Sequence, residues 1–261
     1  MKLFLFLVLT STVLISSCSN YNKVVKSDDY ERKFELANEL YDRKQWLRSV
    51  TLYEQVFQRV PKTAQGEISY FRMGKAYFEE GDYYMGGYYL ATFSEKYPAS
   101  PKTEESLFLS SLCAVNNSPT SSLDQNETEL ALNDLQMFIN RFPNSPLVDT
   151  CNIIMDKLLF KLETKDFEAV KIYNKTESFK AAVTSAEVFL TKYPRSIFRE
   201  DASYIAVKNS YLLTKNSIDD KKMERINQTI ERYRTFANEF PESKRLRELE
   251  SNIEELEKEK K

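Results

Sequence analysis

The side chains best placed to do chemistry in this sequence are carboxylates, amines and aromatic rings, because its 261 residues include no histidine. Histidine is the usual general base near neutral pH and the commonest metal ligand. No glycine-rich loop followed by Lys-Ser or Lys-Thr is present to cradle phosphate, and the cysteines lack zinc-site spacing. Adjacent carboxylates occur at Glu79 and Glu80 and at Asp219 and Asp220. Both pairs fall near expected turns without an acid–base partner, so they read as solvated helix ends. This inventory argues against an enzyme and against a bound metal or cofactor. It offers binding chemistry instead. Phe34, Asn38 and Tyr41 have counterparts in Phe71, Lys75 and Phe78, 37 residues further along. Such rings stack on apolar or aromatic peptide side chains, while the amide and ammonium groups meet backbone or carboxylate. Two readings stand for them: a groove, or a set of rings covered by the N-terminal segment Ser19 to Asp29.

The elements that must position these residues are legible from five prolines. They follow Val60, Tyr97, Phe142, Tyr193 and Phe240, and each is followed two places later by Thr63, Ser100, Ser145, Ser196 or Ser243. Twelve places before each proline stand Ser49, Gly86, Ala131, Ala182 and Thr229, all small. Eight before stand Tyr53, Leu90, Leu135, Ala186 and Tyr233; five before stand Val56, Phe93, Phe138, Phe189 and Phe236. Steps of four, three and four trace one stripe on an α-helix. The small residue lets a neighbouring helix approach, and proline ends the helix by lacking an N–H and disfavouring α for the residue before it. The hydroxyl residue is expected to cap the next helix, with Pro101 and Pro146 at first helical positions. A preceding helix repeats less evenly, with Ala37 and Gly74 twenty-four places before their prolines and Tyr77 and Tyr173 twenty-one before theirs.

Each unit is thus a helix pair. The sequence resembles the tetratricopeptide repeat, whose unit is about 34 residues, although its proline spacings are 37, 45, 51 and 47. The excess is expected in a loop at Asn116 to Asn126, in a long helix from Pro146 to about Tyr173, and in a loop at Thr214 to Asp220. Leu246, Leu249, Ile253 and Leu256 mark a C-terminal capping helix. The fold class is therefore all-α, a tetratricopeptide-type helical solenoid of about five helix pairs with a cap. The solenoid occupies residues 29–261, its repeats ending near Pro61, Pro98, Pro143, Pro194 and Pro241.

Composition agrees. Five glycines are too few for tight hairpins or nucleotide-binding loops, and a formal charge of -2 with 29% charged residues gives no basis for a nucleic-acid partner. Ahead of the repeats, Lys2 precedes an apolar run from Leu3 to Ile15, too short to span a bilayer. It ends in Ile15-Ser16-Ser17-Cys18, which resembles the bacterial lipobox. Residues 1–17 are expected to be a lipoprotein signal peptide, Cys18 the lipidated first residue, and 18–28 a tether. An ordinary signal peptide is the alternative. Acyl chains on Cys18 would bind the protein to a membrane at about 0.8 kcal/mol per buried CH₂. Cys113 and Cys151 fall on equivalent first helices of adjacent repeats, staggered by seven residues, about 10 Å. That exceeds the roughly 7 Å a bridge allows, so both are expected as free, buried thiols.

Lipobox, about five units and recurrent Tyr/Phe-Pro-x-Ser ends together resemble the BamD family of outer-membrane assembly lipoproteins. Tyr41-Asp42-Arg43-Lys44-Gln45-Trp46 and Phe78-Glu79-Glu80-Gly81-Asp82-Tyr83 are similar to that family's inter-helix turns. The resemblance implies a lipid-anchored protein on the periplasmic face of the outer membrane. Its partners would be a BamA-type β-barrel insertase, docked on repeats four and five, and the aromatic-ended segments of unfolded outer-membrane proteins, received by repeats one and two. The competing readings are another periplasmic tetratricopeptide adaptor and, from the enzyme class, a helical peptidoglycan-cleaving enzyme, which would need a working carboxylate.

Overall fold

The computed structural model describes residues 20–259, so the signal-peptide and Cys18 readings lie outside the described residues. No strand occurs among the described residues. Eleven helices follow a helical segment at residues 20–26. They are α1 (Tyr30–Asp42), α2 (Trp46–Arg59), α3 (Ala64–Glu80), α4 (Tyr83–Lys96), α5 (Thr103–Asn117), α6 (Asn126–Arg141), α7 (Val148–Lys175), α8 (Phe179–Lys192), α9 (Arg199–Lys215), α10 (Asp219–Glu239) and α11 (Leu246–Glu259).

 They form five helix pairs, α1/α2 through α9/α10, closed by α11. The chain divides into two compact units, the first running to residue 155 and the second from residue 156 onward, with residues 120–122 counted in the second.

In the first unit, consecutive helices pack on one another, and the first helices α1, α3 and α5 also touch in sequence. The stripe read from the prolines is the core. Ser49, Ala131, Tyr53, Leu90, Leu135, Val56, Phe93 and Phe138 are all fully buried. A Cβ on Gly86 would lie 3.1 Å from the backbone nitrogen of Phe78 and 3.2 Å from Cys113 Sγ, which is the close helix approach that small residues permit. Cys113 and Cys151 are free and buried, as the stagger argument expects. Burial pushes the Cys113 thiol up to about 12 and raises Cys151 as well, so both stay protonated.

The second unit repeats the plan. Phe167 and Val170 of α7 pack with Ala182, Ala186 and Phe189 of α8 and with Ala202, Ile205 and Ala206 of α9. Ile253 and Leu256 of α11 close over Ile226 and Ile230 of α10, and Leu249 joins Val207 and Phe236. One stripe residue, Tyr233, is only half-buried; on the first helices Tyr77 is half-buried and Tyr173 is 41% exposed.

The proline junctions are more uniform than the sequence suggests. Five times the residue before proline donates its N–H to the carbonyl four places back, as from Tyr97 to Phe93 at 2.9 Å. Five times the hydroxyl residue donates its own N–H to the pre-proline carbonyl, as from Ser100 to Tyr97 at 3.0 Å, which places proline second in a β-turn. The capping expectation holds only at Thr63, whose Oγ1 accepts from Gly66 N at 3.2 Å. At the four serines a second turn intervenes, closed for instance by Thr103 N on Ser100 O, and the helix starts three residues after the serine. Pro101 and Pro146 therefore stand in that second turn and not at a first helical position. The serines instead reach back one repeat. Ser100, Ser145, Ser196 and Ser243 donate Oγ–H to Glu67, Glu104, Glu163 and Glu200 at 2.5–2.7 Å. Each stitches its turn to the preceding first helix.

The three insertions resolve differently. Helix α5 runs to Asn117 and α6 starts at Asn126, so the third repeat carries the expected loop. The long helix of the fourth is α7, with 28 residues. In the fifth only residues 216–218 separate α9 from α10, and the extra length lies in α10, which has 21 residues.

Three turns within helix pairs close in the same way. Gln45, Asp82 and Ser178 donate N–H to Leu40, Tyr77 and Tyr173 at 2.9–3.0 Å, around a left-handed residue at Lys44, Gly81 or Glu177. Gly81 takes φ 88° freely, whereas Lys44 at φ 58° and Glu177 at φ 55° carry a Cβ into that region. Lys44→Gly is expected to stabilise the first unit by about 1 kcal/mol, since the left-handed conformation costs an L-residue roughly that much. Denaturant titration checks it: a midpoint unmoved or lowered would mean that the turn holds no strain.

Candidate peptide-binding face

The first helices of the first three repeats present a connected polar and aromatic surface. Asn38 lies on α1, Arg72 and Lys75 on α3, and Glu105 on α5. Asn38 Oδ1 accepts from Tyr53 Oη–H at 2.7 Å and from Arg72 Nη1 at 2.5 Å. Arg72 Nη1 also donates to Tyr53 Oη at 3.0 Å, and its guanidinium lies 4.9 Å from the centre of the Tyr41 ring. Burial pushes the Tyr53 hydroxyl up to about 12, opposed by its bond to Arg72, and burial raises Tyr41 further still. Both phenols therefore stay neutral, and Arg72 is the only charge in this cluster of partners. Next to it, Lys75 Nζ pairs with Glu105 Oε1 at 2.6 Å.

The predicted groove residues divide by burial. Phe71 is 3% exposed and packs on Phe93 with ring centres 5.4 Å apart, so it belongs to the core and does not line a groove. This corrects its assignment. Its ring turns toward α4 of the same pair, and the ammonium groups of Lys75 and Lys102 lie over it at 5.9 and 4.9 Å. Phe34, Tyr41 and Phe78 are half-buried and lean on the same core. Phe34 meets Tyr53 edge-on at 6.3 Å, Tyr41 meets Trp46 at 5.0 Å, and Phe78 meets Tyr83 at 5.8 Å. Asn38 and Lys75 are already bonded, so a ligand there would have to exchange partners with Arg72 and Glu105. The sequence reading missed these two. The signal for Arg72 was spacing, since it stands one helical turn before Lys75, on the same side of α3.

The segment read as a tether is helical from residue 20 to residue 26 and belongs to the first unit. Val24 is 7% exposed within the core, with Tyr21 and Val25 against it. Tyr21 and Val24 stand one turn apart, which gives the short helix an apolar side to bury. Its bonds go to α2: Tyr21 Oη–H donates to Arg48 O at 3.3 Å, and the Arg48 guanidinium covers the Tyr21 ring at 4.2 Å.

The carboxylates Glu79 and Glu80 are exposed in the last turn of α3, and Asp220 is exposed in the first turn of α10. Among the described residues, no cluster of three or more Cys, Asp or Glu side chains is arranged to hold a metal ion. No helix among them is long and apolar enough to cross a membrane.

Comparison with known proteins adds the lineage. The assembly factor BamD of Neisseria meningitidis serogroup B is 20% identical over 255 residues, covering 92% of this chain and 92% of that protein. BamD of Caulobacter vibrioides is 22% identical over 178 residues, covering 64% of this chain and 56% of that protein, so the chain spans little more than half the length of this relative. Among solved structures, the TPR-like repeats of a Podosopora anserina protein described as a kinesin light chain are 14% identical, with a TM-score of 0.33 over 83% of this chain and 100% of that one. The model of an outer membrane lipoprotein family, YfiO, matches residues 27–216 and 161–259. By that match, which spans nearly all of the helix pairs, the chain belongs to the YfiO family of outer membrane lipoproteins.

Proposed function

We propose that this chain is a non-catalytic scaffold of the outer-membrane β-barrel assembly machinery, lipid-anchored through Cys18 on the periplasmic face of the outer membrane. It binds a BamA-type insertase and the targeting segments of unfolded outer-membrane proteins. The observation that carries the proposal is the family match over nearly the whole array, beside similarity to two proteins described as outer membrane protein assembly factors. The first unit supports a receptor role for short peptides. Its half-buried Phe34, Tyr41 and Phe78 supply apolar surface beside Asn38, Arg72 and Lys75, whose donors suit a backbone carbonyl or a terminal carboxylate. Repeats four and five, which from residue 156 onward form the second unit, are left for the insertase.

Affinity isolation of the tagged full-length chain in mild detergent tests the assignment. Recovery of a β-barrel insertase in amounts comparable to the chain is the expected result. Its absence, with proteins of division or polysaccharide export recovered instead, would favour the adaptor reading.

A further inference from the structure

Resting on the lipid-anchor reading, we infer that residues 20–26 are a docked strut, which holds the Arg48 side of the first unit against the lipid headgroups. A lipoprotein on a flexible tether can turn freely above its membrane. This chain has almost no tether. Only one residue separates Cys18 from Asn20, where the helical segment begins. Two extended residue steps span at most about 7 Å. The segment is then tied down by the burial of Val24, the hydrogen bond and cation–π contact of Tyr21 with Arg48, and the bond from Ser27 Oγ to Val24 O at 2.9 Å. Asp29 next caps α1 by accepting from Arg32 N at 2.9 Å. From Tyr21 to the first helix pair, packing and hydrogen bonds hold the segment at Tyr21, Val24, Ser27 and Asp29.

With acyl chains in the hydrocarbon, a reach of about 7 Å is comparable to the headgroup layer of one leaflet, roughly 5–8 Å deep. Tyr21 and its partner Arg48 therefore lie at the interface, where amphipathic rings and arginine stems are at home. Leu47, beside Arg48 in the first turn of α2, is 53% exposed and available to enter that layer. Lys23 and Lys26 of the segment and Arg43 and Lys44 ahead of α2 are exposed, as are Asp28 and Asp42. Charge there is mixed, and the commitment to lipid comes from chain length and packing.

The test uses the full-length lipidated chain, reconstituted in vesicles of phosphatidylethanolamine and phosphatidylglycerol, with a nitroxide at Leu47→Cys. The buried thiols of Cys113 and Cys151 leave the new cysteine as the reactive one. Expected are a several-fold fall in collisions with an aqueous nickel chelate and a rise in collisions with oxygen, relative to the unlipidated Cys18→Ala chain in solution. Inserting about 15 Gly and Ser residues after Ser19, a flexible reach of roughly 20 Å, should restore the solution values while the chain still floats with vesicles. Equal nickel access with and without the insert would overturn the strut. So would loss of access to both probes, because a protein surface would then cover Leu47. Failure of the parent chain to float would remove the lipid anchor itself, and this inference with it.

Discussion

Phe93→Ala is expected to destabilise the first unit by about 3–5 kcal/mol, the usual cost of emptying a buried phenylalanine site. Phe93 is fully buried in α4 and holds Phe71 on one side at 5.4 Å and Tyr97 on the other at 5.0 Å. Collapse around the cavity is restricted, because both neighbours are tied elsewhere. Tyr97 sits in the proline junction and donates its hydroxyl to Pro61 O at 2.6 Å, while Phe71 underlies Lys75 and Lys102. The melting temperature of the full chain should fall by roughly 10 °C for that unit, at about 2–4 °C per kcal/mol. Because Phe71 supports the Lys75–Glu105 pair, the peptide binding proposed for this face should weaken along with stability. A loss below about 1 kcal/mol would show that the stripe read from the prolines is not the core.

Gly66→Ala gives the second large effect, and its sign is the informative part. In an exposed helix this substitution stabilises by about 1 kcal/mol. Here a Cβ would be driven into the carbonyl of Val60 and would lie 2.9 Å from Pro61 Cα. Both obstacles are backbone. The Val60 carbonyl also accepts from Thr63 N at 3.2 Å and from Thr63 Oγ1 at 2.8 Å, so it is fixed by the proline junction. The expected outcome is a loss of about 2–3 kcal/mol, measured by denaturant unfolding against the parent chain. A neutral or stabilising result would mean that the junction between the first two repeats yields easily.

The repeats, the helix ends before the prolines and the core stripe were legible in the sequence because each depends on local rules that recur, whereas the helix starts after the serines were not. A residue before proline leaves the α region, an apolar residue every three or four places turns one side of a helix inward, and five copies in one register average out local exceptions. The same regularity made Cys113 and Cys151 recognisable as thiols too far apart along their helices to pair. The candidate face was legible only in part. Asn38, Tyr41 and Lys75 could be placed on a first helix by counting, but counting cannot tell a ring beside a groove from a ring beneath it. Phe71 fell into the core because α4 brings Phe93 against it, a contact between residues 22 positions apart that no local pattern encodes. Nor could spacing show that Arg72 would bridge Asn38 and Tyr53, that the junction serines would reach back to glutamates of the preceding repeat, or that residues 20–26 would pack on α2. Sequence alone determined the stripe that turns inward on the second helix of each pair, Tyr233 excepted, since that is set by the pitch of the helix. Tertiary structure decided which half-buried groups find partners, because partnership depends on how neighbouring helices approach, and the energies involved are non-local.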